Sequence, residues 1–337
     1  MGSSTSGKPK VALIGTGGTI TSIGRDAWDL QNYTVQGKRM HPVEVLSMFP
    51  DAASVADVIP IEFKAIPSPQ IVPADWKALV LAMDDAVRQY PDLSGIVILH
   101  GTSSLEETAY ALNLLSKVQI PVVLVGAQRP ASGLSTDAPM NLANALRVAA
   151  DPASRGMGVL VVLNDEIQAA REVTKTSTYR LQTFRTPDFG VLGQADGDSI
   201  NYYRRPIRRS APDTEFDIRP LPGLPRVDIV ISYAGADGTA VDAFVAAGAQ
   251  GIVAASFAPG YNAPGEFEAL RAAVQKGVVV VQSSRVGSGR AFLLDAPRRA
   301  GFIGADNLNP QKARVLLACA LSKTRDPVEI ARMFATY

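Results

Sequence analysis

Two short segments combine hydroxyl side chains with glycines in a way that permits nucleophilic chemistry. The first, Gly15-Thr16-Gly17-Gly18-Thr19-Ile20, follows the apolar run Val11-Ala12-Leu13-Ile14. Glycines after a strand let the backbone turn sharply and aim N–H groups at an anion. The spacing is neither G-x-G-x-x-G nor that of a phosphate loop closed by Lys-Ser/Thr, so a purely structural turn is an equal reading. The second segment, His100-Gly101-Thr102-Ser103-Ser104-Leu105-Glu106-Glu107-Thr108-Ala109-Tyr110, sets three hydroxyls between a strand and a helix. In open α/β sheets that crevice is where ligands bind, and a helix N-terminus favours developing negative charge. An N-cap role explains one of the three hydroxyls and leaves two.

These segments need a sheet to hold them. Apolar runs at Val11–Gly15, Gly95–Leu99, Pro121–Val125 and Gly158–Leu163 alternate with helix-period stretches, such as Trp76, Leu79, Val80, Met83 and Val87 on one face of 74–90. Ser104 and Glu107 have capping-box spacing for the helix after the second segment. The pattern predicts an α/β fold, a larger N-terminal parallel-sheet domain over 10–203 with helices on both faces. A stretch with five prolines and Arg204, Arg205, Arg208 and Arg209 (204–226) reads as a linker, its arginines as a solvated or oligomer-facing surface. A smaller C-terminal α/β domain over 227–337 follows, with strands at Val227–Ser232, Gly251–Ala255 and Val278–Gln282. It closes on a helix capped by Asp326, Pro327 and Glu329. Residues 1–9 read as a disordered or tag-like start.

Composition excludes several classes. Among 337 residues, 33 Lys and Arg against 32 Asp and Glu leave a net charge of +1, with no basic stripe to steer nucleic acid. Cys319 is the single cysteine, so no intrachain disulfide forms, and its apolar surroundings predict a buried helix position. His41 and His100 stand far apart, outside any metal-ligand spacing, so neither a metal nor another cofactor is expected. No apolar run is long enough to span a bilayer. The start lacks a secretory core, which leaves the cytoplasm, or the periplasm if a leader has been removed.

Thr-Gly-Gly-Thr-Ile after the first strand and His-Gly-Thr-x-x-x-Glu-Glu-Thr-Ala-Tyr near residue 100 resemble the two signatures of the bacterial L-asparaginase/glutaminase family, type II-like. Gly126-Ala127-Gln128-Arg129-Pro130, Ser135-Thr136-Asp137-Ala138-Pro139, Val173-Thr174-Lys175-Thr176, Ser283-Ser284-Arg285-Val286 and Leu308-Asn309-Pro310-Gln311-Lys312-Ala313-Arg314 resemble further family segments in family order. The resemblance, spanning essentially 9–337, implies an amidohydrolase cleaving a carboxamide C–N bond through an acyl-threonine. Thr19 matches the nucleophile, on a flexible lid over 20–33, and Tyr33 the residue that helps activate it. Thr102 and Lys175 match a second threonine and a lysine that move protons, while Gly18, Ser68, Gly101 and Ser103 fall at substrate-binding positions. It also implies a homotetramer, a dimer of dimers, with a small-molecule amide as substrate and neither nucleic acid nor membrane as partner.

The chain departs from the family pattern at the substrate-recognition positions and so reads as a divergent member. Ser103 stands where an aspartate should follow Thr102 to hold the substrate's α-ammonium. The Ser-Gln pair corresponds to Ser68-Pro69, and the Gly-Asn-Gly turn to Ala258-Pro259-Gly260. The expected glutamate after Ser-Ser-Arg-Val has no clear counterpart in 287–297. Losing the carboxylate beside Lys175 should lower the lysine's pKa and make it a better base. The favoured substrate is then expected to be a des-amino, N-substituted, cyclic or D-configured amide, with Trp28 in the lid adding apolar surface for a larger one. Ordinary L-asparaginase or glutaminase activity, a catalytically silent binding protein, and Ser103 as direct nucleophile stay open as alternatives.

Overall fold

The computed structural model describes residues 7–36 and 38–337, without the Gln36 side chain, so the expected tag-like start lies mostly outside the described residues. The chain forms two compact units, one ending at Pro212 and the other running Asp213–Tyr337. The division falls inside the Pro- and Arg-rich stretch, where no helix or strand occurs between Tyr202 and Val227. Arg204 of that patch is structural: it pairs with Glu172 at 2.6 Å and donates to the Val191 carbonyl.

The first unit starts with β1 (Lys10–Gly15), a short hairpin of β2 (Ser22–Ile23) and β3 (Lys38–Arg39), then β4 (Asp57–Ile61) and β5 (Gly95–Leu99). It continues through β6 (Val122–Val125), β7 (Val159–Leu163), β8 (Glu166–Ala169), the hairpin β9 (Thr174–Lys175) and β10 (Phe184–Arg185), then β11 (Gly193–Ala195) and β12 (Ile200–Tyr202). Eight of these make one sheet in the order β12-β11-β8-β7-β6-β5-β1-β4. The expected parallel sheet is therefore mixed: β4, β1, β5, β6 and β7 run parallel, while β8, β11 and β12 extend it antiparallel. β5, β6 and β7 are buried throughout, as parallel strands covered on both faces must be.

The chain order reverses at β1, which has β4 on one side and β5 on the other. The C-terminal ends of β1 and β5 thus flank a switch point, where open α/β sheets hold ligands. Helix Pro73–Gln89 buries Trp76, Leu79, Val80 and Met83, and the Trp76 indole donates to Thr108 Oγ1 on helix Leu105–Leu115. This fixes the helix that begins just after Thr102.

The second unit is a parallel sheet of β13 (Val227–Ile231), β14 (Gly251–Ser256), β15 (Val279–Ser284) and β16 (Ile303–Gly304). Cys319 lies in helix Pro310–Leu321 with no exposed surface, and burial pushes its thiol up to about 12. The last helix is capped by the Asp326 carboxylate, but Glu329 pairs with Arg332 rather than closing back on the cap.

Candidate active site

Gly17 and Gly18 carry the chain out of β1 with φ of 97° and 91°, backbone that a side chain disfavours. A Cβ on Gly18 would stand 2.3 Å from the Gly101 Cα, so the loops after β1 and β5 meet backbone to backbone. The Gly18 carbonyl then accepts from Thr21 N, Thr21 Oγ1 and Ser22 Oγ, which winds Thr19–Thr21 into one tight 3-10 turn. Thr19 opens that turn half-buried, and its hydroxyl lies 2.8 Å from the Tyr33 hydroxyl.

Tyr33 comes from the segment expected as a lid. Ala131 N–H donates to the Ser22 carbonyl, Gly24 N–H to Ser132 Oγ, and Leu134 N–H to the Ala27 carbonyl. The buried Asp29 carboxylate accepts from Arg25 and from Asn32 N–H. Burial raises the Tyr33 pKa, against the opposing hydrogen bond to Thr19, so the phenol stays protonated at neutral pH. Trp28 does not serve as expected: it is 77% exposed and is absent from the cavity lining.

In the same cavity lining, Lys175 Nζ donates to Thr102 Oγ1 at 2.8 Å, and Thr102 donates to Gln128 Oε1 at 3.2 Å. The amine also reaches Gln128 Oε1, at 3.5 Å. Gln128 is held in turn. Its amide nitrogen donates to the Arg180 carbonyl, and the Asp137 carboxylate accepts from the backbone N–H of Gln128 and Arg129. The Lys175 pKa is lowered, first by burial, with the Glu106 charge pulling the other way. Desolvation is thus the cause of the lowering, and the Glu106 charge opposes it.

Ser68, buried on a 3-10 turn, fastens the second segment. Its hydroxyl accepts from Ser103 N–H at 3.2 Å and its carbonyl accepts from Ser104 Oγ at 2.7 Å. The Ser104 hydroxyl is thereby spent, and the predicted capping role fails: it takes no hydrogen bond from the helix. The Ser103 side chain is exposed.

Thr19, Tyr33, Thr102, Lys175, Ser68, Ser103, Gly18 and Gly101 all line one cavity of about 530 Å³. Gln128 and Arg39 line it too, and neither was singled out from the sequence for chemistry. Among the described residues no Asp or Glu lines this cavity, and Arg39 and Lys175 are its charged groups. A larger cavity, about 850 Å³, lies in the second unit, lined by Tyr261, Phe292 and Arg290 among others.

The family models for the N-terminal domain of asparaginase and for the C-terminal domain of glutaminase/asparaginase match residues 10–208 and 226–334. The chain belongs to the asparaginase/glutaminase family. It is an amidohydrolase, acting on carbon–nitrogen bonds other than peptide bonds. L-asparaginase 2 of Escherichia coli K12 is 40% identical over 98% of this chain and 93% of its own length. The glutaminase-asparaginase of Pseudomonas fluorescens is 36% identical over 97% and 90%. A solved structure, a probable cytoplasmic L-asparaginase from Campylobacter jejuni, has a TM-score of 0.92 at 36% identity and covers 98% of this chain and 100% of its own. Likeness of this extent does not bear out a divergent member; the departures noted above concern a few positions.

Proposed function

We propose that the chain hydrolyses a carboxamide through an ester on Thr19. The single observation that carries this reading is that two hydroxyl-bearing pairs line one cavity, Thr19 with Tyr33 and Thr102 with Lys175, each at 2.8 Å. A threonine hydroxyl is a weak nucleophile until a neighbour takes its proton. Thr19 Oγ1 attacks the amide carbon while its proton passes to the Tyr33 oxygen, and the phenol's own proton moves to the leaving nitrogen. The C–N bond breaks, ammonia or an amine departs, and the acyl group stays on Thr19. Water then attacks the ester, giving one proton to the Thr102–Lys175 pair; the Thr19 oxygen leaves with the Tyr33 phenol proton, the new carboxylic acid returns its proton to Tyr33, and the pair releases its own to solvent. Lowering of the Lys175 pKa by burial raises the fraction of neutral amine able to take that proton.

The favoured substrate, in this reading, lacks the free α-ammonium of asparagine or carries it elsewhere. Support comes from Ser103 and from the absence of any described Asp or Glu along the cavity. An ammonium left without its counter-charge costs roughly 3–5 kcal/mol when fully buried. The opening here is partly solvated, so one to two orders of magnitude in kcat/KM is the fitting scale. The ordinary alternative is favoured by the relatives' names, since an L-asparaginase is 40% identical.

The deciding measurement is kcat/KM on L-asparagine, D-asparagine, succinamate and a cyclic imide, for the wild type and for Ser103→Asp. Preference for an amide without the α-ammonium, with L-asparagine turnover gained in the variant, supports the substrate reading. Wild-type preference for L-asparagine refutes it and leaves ordinary asparaginase. Thr19→Ala should abolish hydrolysis while ligands still raise Tm; retained turnover removes the acyl-threonine.

A further inference from the structure

One charged group of the cavity takes no part in the chemistry above. Arg39 sits on β3, its Cα paired with that of Ser22 in the short hairpin that follows Thr19. It is partly exposed, and its Nη2 donates to the Thr34 carbonyl at 3.2 Å. Its sequence neighbour Lys38 pairs with Glu44, and Arg25 on the same segment pairs with Asp29. Arg39 makes no such ion pair among the described residues, although it lines a cavity without a carboxylate. An arginine fork matches the two oxygens of a carboxylate, and a charge left unneutralised at a cavity wall favours an anionic ligand. Ser68 lines the same cavity; its oxygen accepts from Ser103 N–H, which leaves its own hydrogen for a ligand acceptor.

We infer that Arg39 is a specificity-determining residue that holds a substrate carboxylate, so that the substrate is a short monoamide of a dicarboxylic acid with no ammonium beside that carboxylate. The inference rests on the hydrolytic reading for the word substrate, and on geometry and charge for the anion. The ammonium of an amino-acid amide would meet the Arg39 and Lys175 charges with no described carboxylate in the lining to offset them. A monoanion brings only the attractive partner. Among the described residues Arg39 makes no hydrogen bond to either hydroxyl pair, so its loss should act on KM rather than on kcat.

The test uses succinamate and butyramide, amides of equal chain length with and without the carboxylate, and succinate as a non-reacting probe. Wild type, Arg39→Gln and Arg39→Lys are compared, with succinate affinity measured by calorimetry on the Thr19→Ala background as well. Arg39→Gln should raise KM for succinamate about tenfold or more and weaken succinate by a similar factor. Its kcat and its KM for butyramide should stay within about threefold, and Arg39→Lys should recover part of the loss. Unchanged succinate affinity and unchanged succinamate selectivity in Arg39→Gln overturn the inference while hydrolysis stands. Loss of succinate binding in a protein that hydrolyses no amide keeps the anion site and sinks the hydrolytic reading instead.

Discussion

Gln128→Glu replaces the amide oxygen 3.5 Å from Lys175 Nζ by a carboxylate of nearly the same shape. Two unit charges at that separation attract by about 1.2 kcal/mol in bulk water and about 4.7 kcal/mol at an effective dielectric of 20. Lys175 is half-buried, so its surroundings fall between these limits. At 1.36 kcal/mol per unit, the Lys175 pKa should rise by roughly one to three units from a starting point that burial holds below the usual lysine value. Where the neutral amine is the base, kcat/KM climbs with pH through that pKa. The acid limb of the profile should therefore move to higher pH by the same one to three units, and activity on that limb should fall roughly 10- to 1000-fold.

Gln128→Met is the control. It removes the bonds to Thr102, Lys175 and the Arg180 carbonyl without adding charge, so the limb stays in place while kcat/KM falls by about ten- to a hundredfold at every pH. The assay is ammonia release between pH 5 and 10, with Tm recorded alongside. A Gln128→Glu profile that superimposes on the wild type in a stably folded protein would refute the role given to Lys175, or the contact that places Gln128 on it.

Two further outcomes follow from the same loops. Gly18→Ala combines positive φ with a Cβ 2.3 Å from the Gly101 Cα, and should destabilise the protein by more than about 3 kcal/mol in urea unfolding. Gly156→Ala has a similar φ of 71° and open space, so about 1 kcal/mol is expected there; equal losses at the two sites would dismiss the close approach. His100 is buried and desolvation lowers its pKa to about 4, so the folded state disfavours the imidazolium. Its contribution is complete above pH 6.5 and is lost as pH falls towards 4. The wild type should then lose about 2 kcal/mol more than His100→Asn between pH 7 and pH 5, and parallel pH dependences in the two proteins would rule this out.

The elements that carry the site were legible because burial on both faces writes itself as unbroken apolar runs, as in β5, β6 and β7. The antiparallel extension was not. β8, β11 and β12 are three or four residues long and include Glu166, Gly193 and Asn201, too short for periodicity to register. The capping role of Ser104 was misread because a distant carbonyl, that of Ser68, competes for its hydroxyl across 36 residues of chain. Gln128 and Arg39 escaped notice for a related reason. Gln128 acquires its chemical meaning only from Lys175, 47 residues away, and Arg39 only from a cavity wall that folding assembles.

The way residue 103 is held explains how likeness to asparaginases can coexist with a changed charge in the cavity. Its backbone N–H, not its side chain, makes the bond to Ser68 that fastens the loop, and the side chain itself is exposed. Exchange between serine and aspartate at that position therefore keeps the backbone bond to Ser68, while a carboxylate beside Lys175 should raise the lysine's pKa. Arg39 lies similarly, hydrogen-bonded through one nitrogen to a local carbonyl and otherwise unpaired among the described residues. In the proposed function, catalytic placement rests on backbone approach and part-buried contacts, whereas ligand charge is set by an exposed Ser103 and a partly exposed Arg39. That separation makes Arg39→Gln readable as a change of recognition, and Ser103→Asp likewise once its pH profile is set beside that of the wild type. A loss of Tm of several degrees in either variant would show that the rim side chains also support the fold, and would remove the separation on which the substrate argument stands.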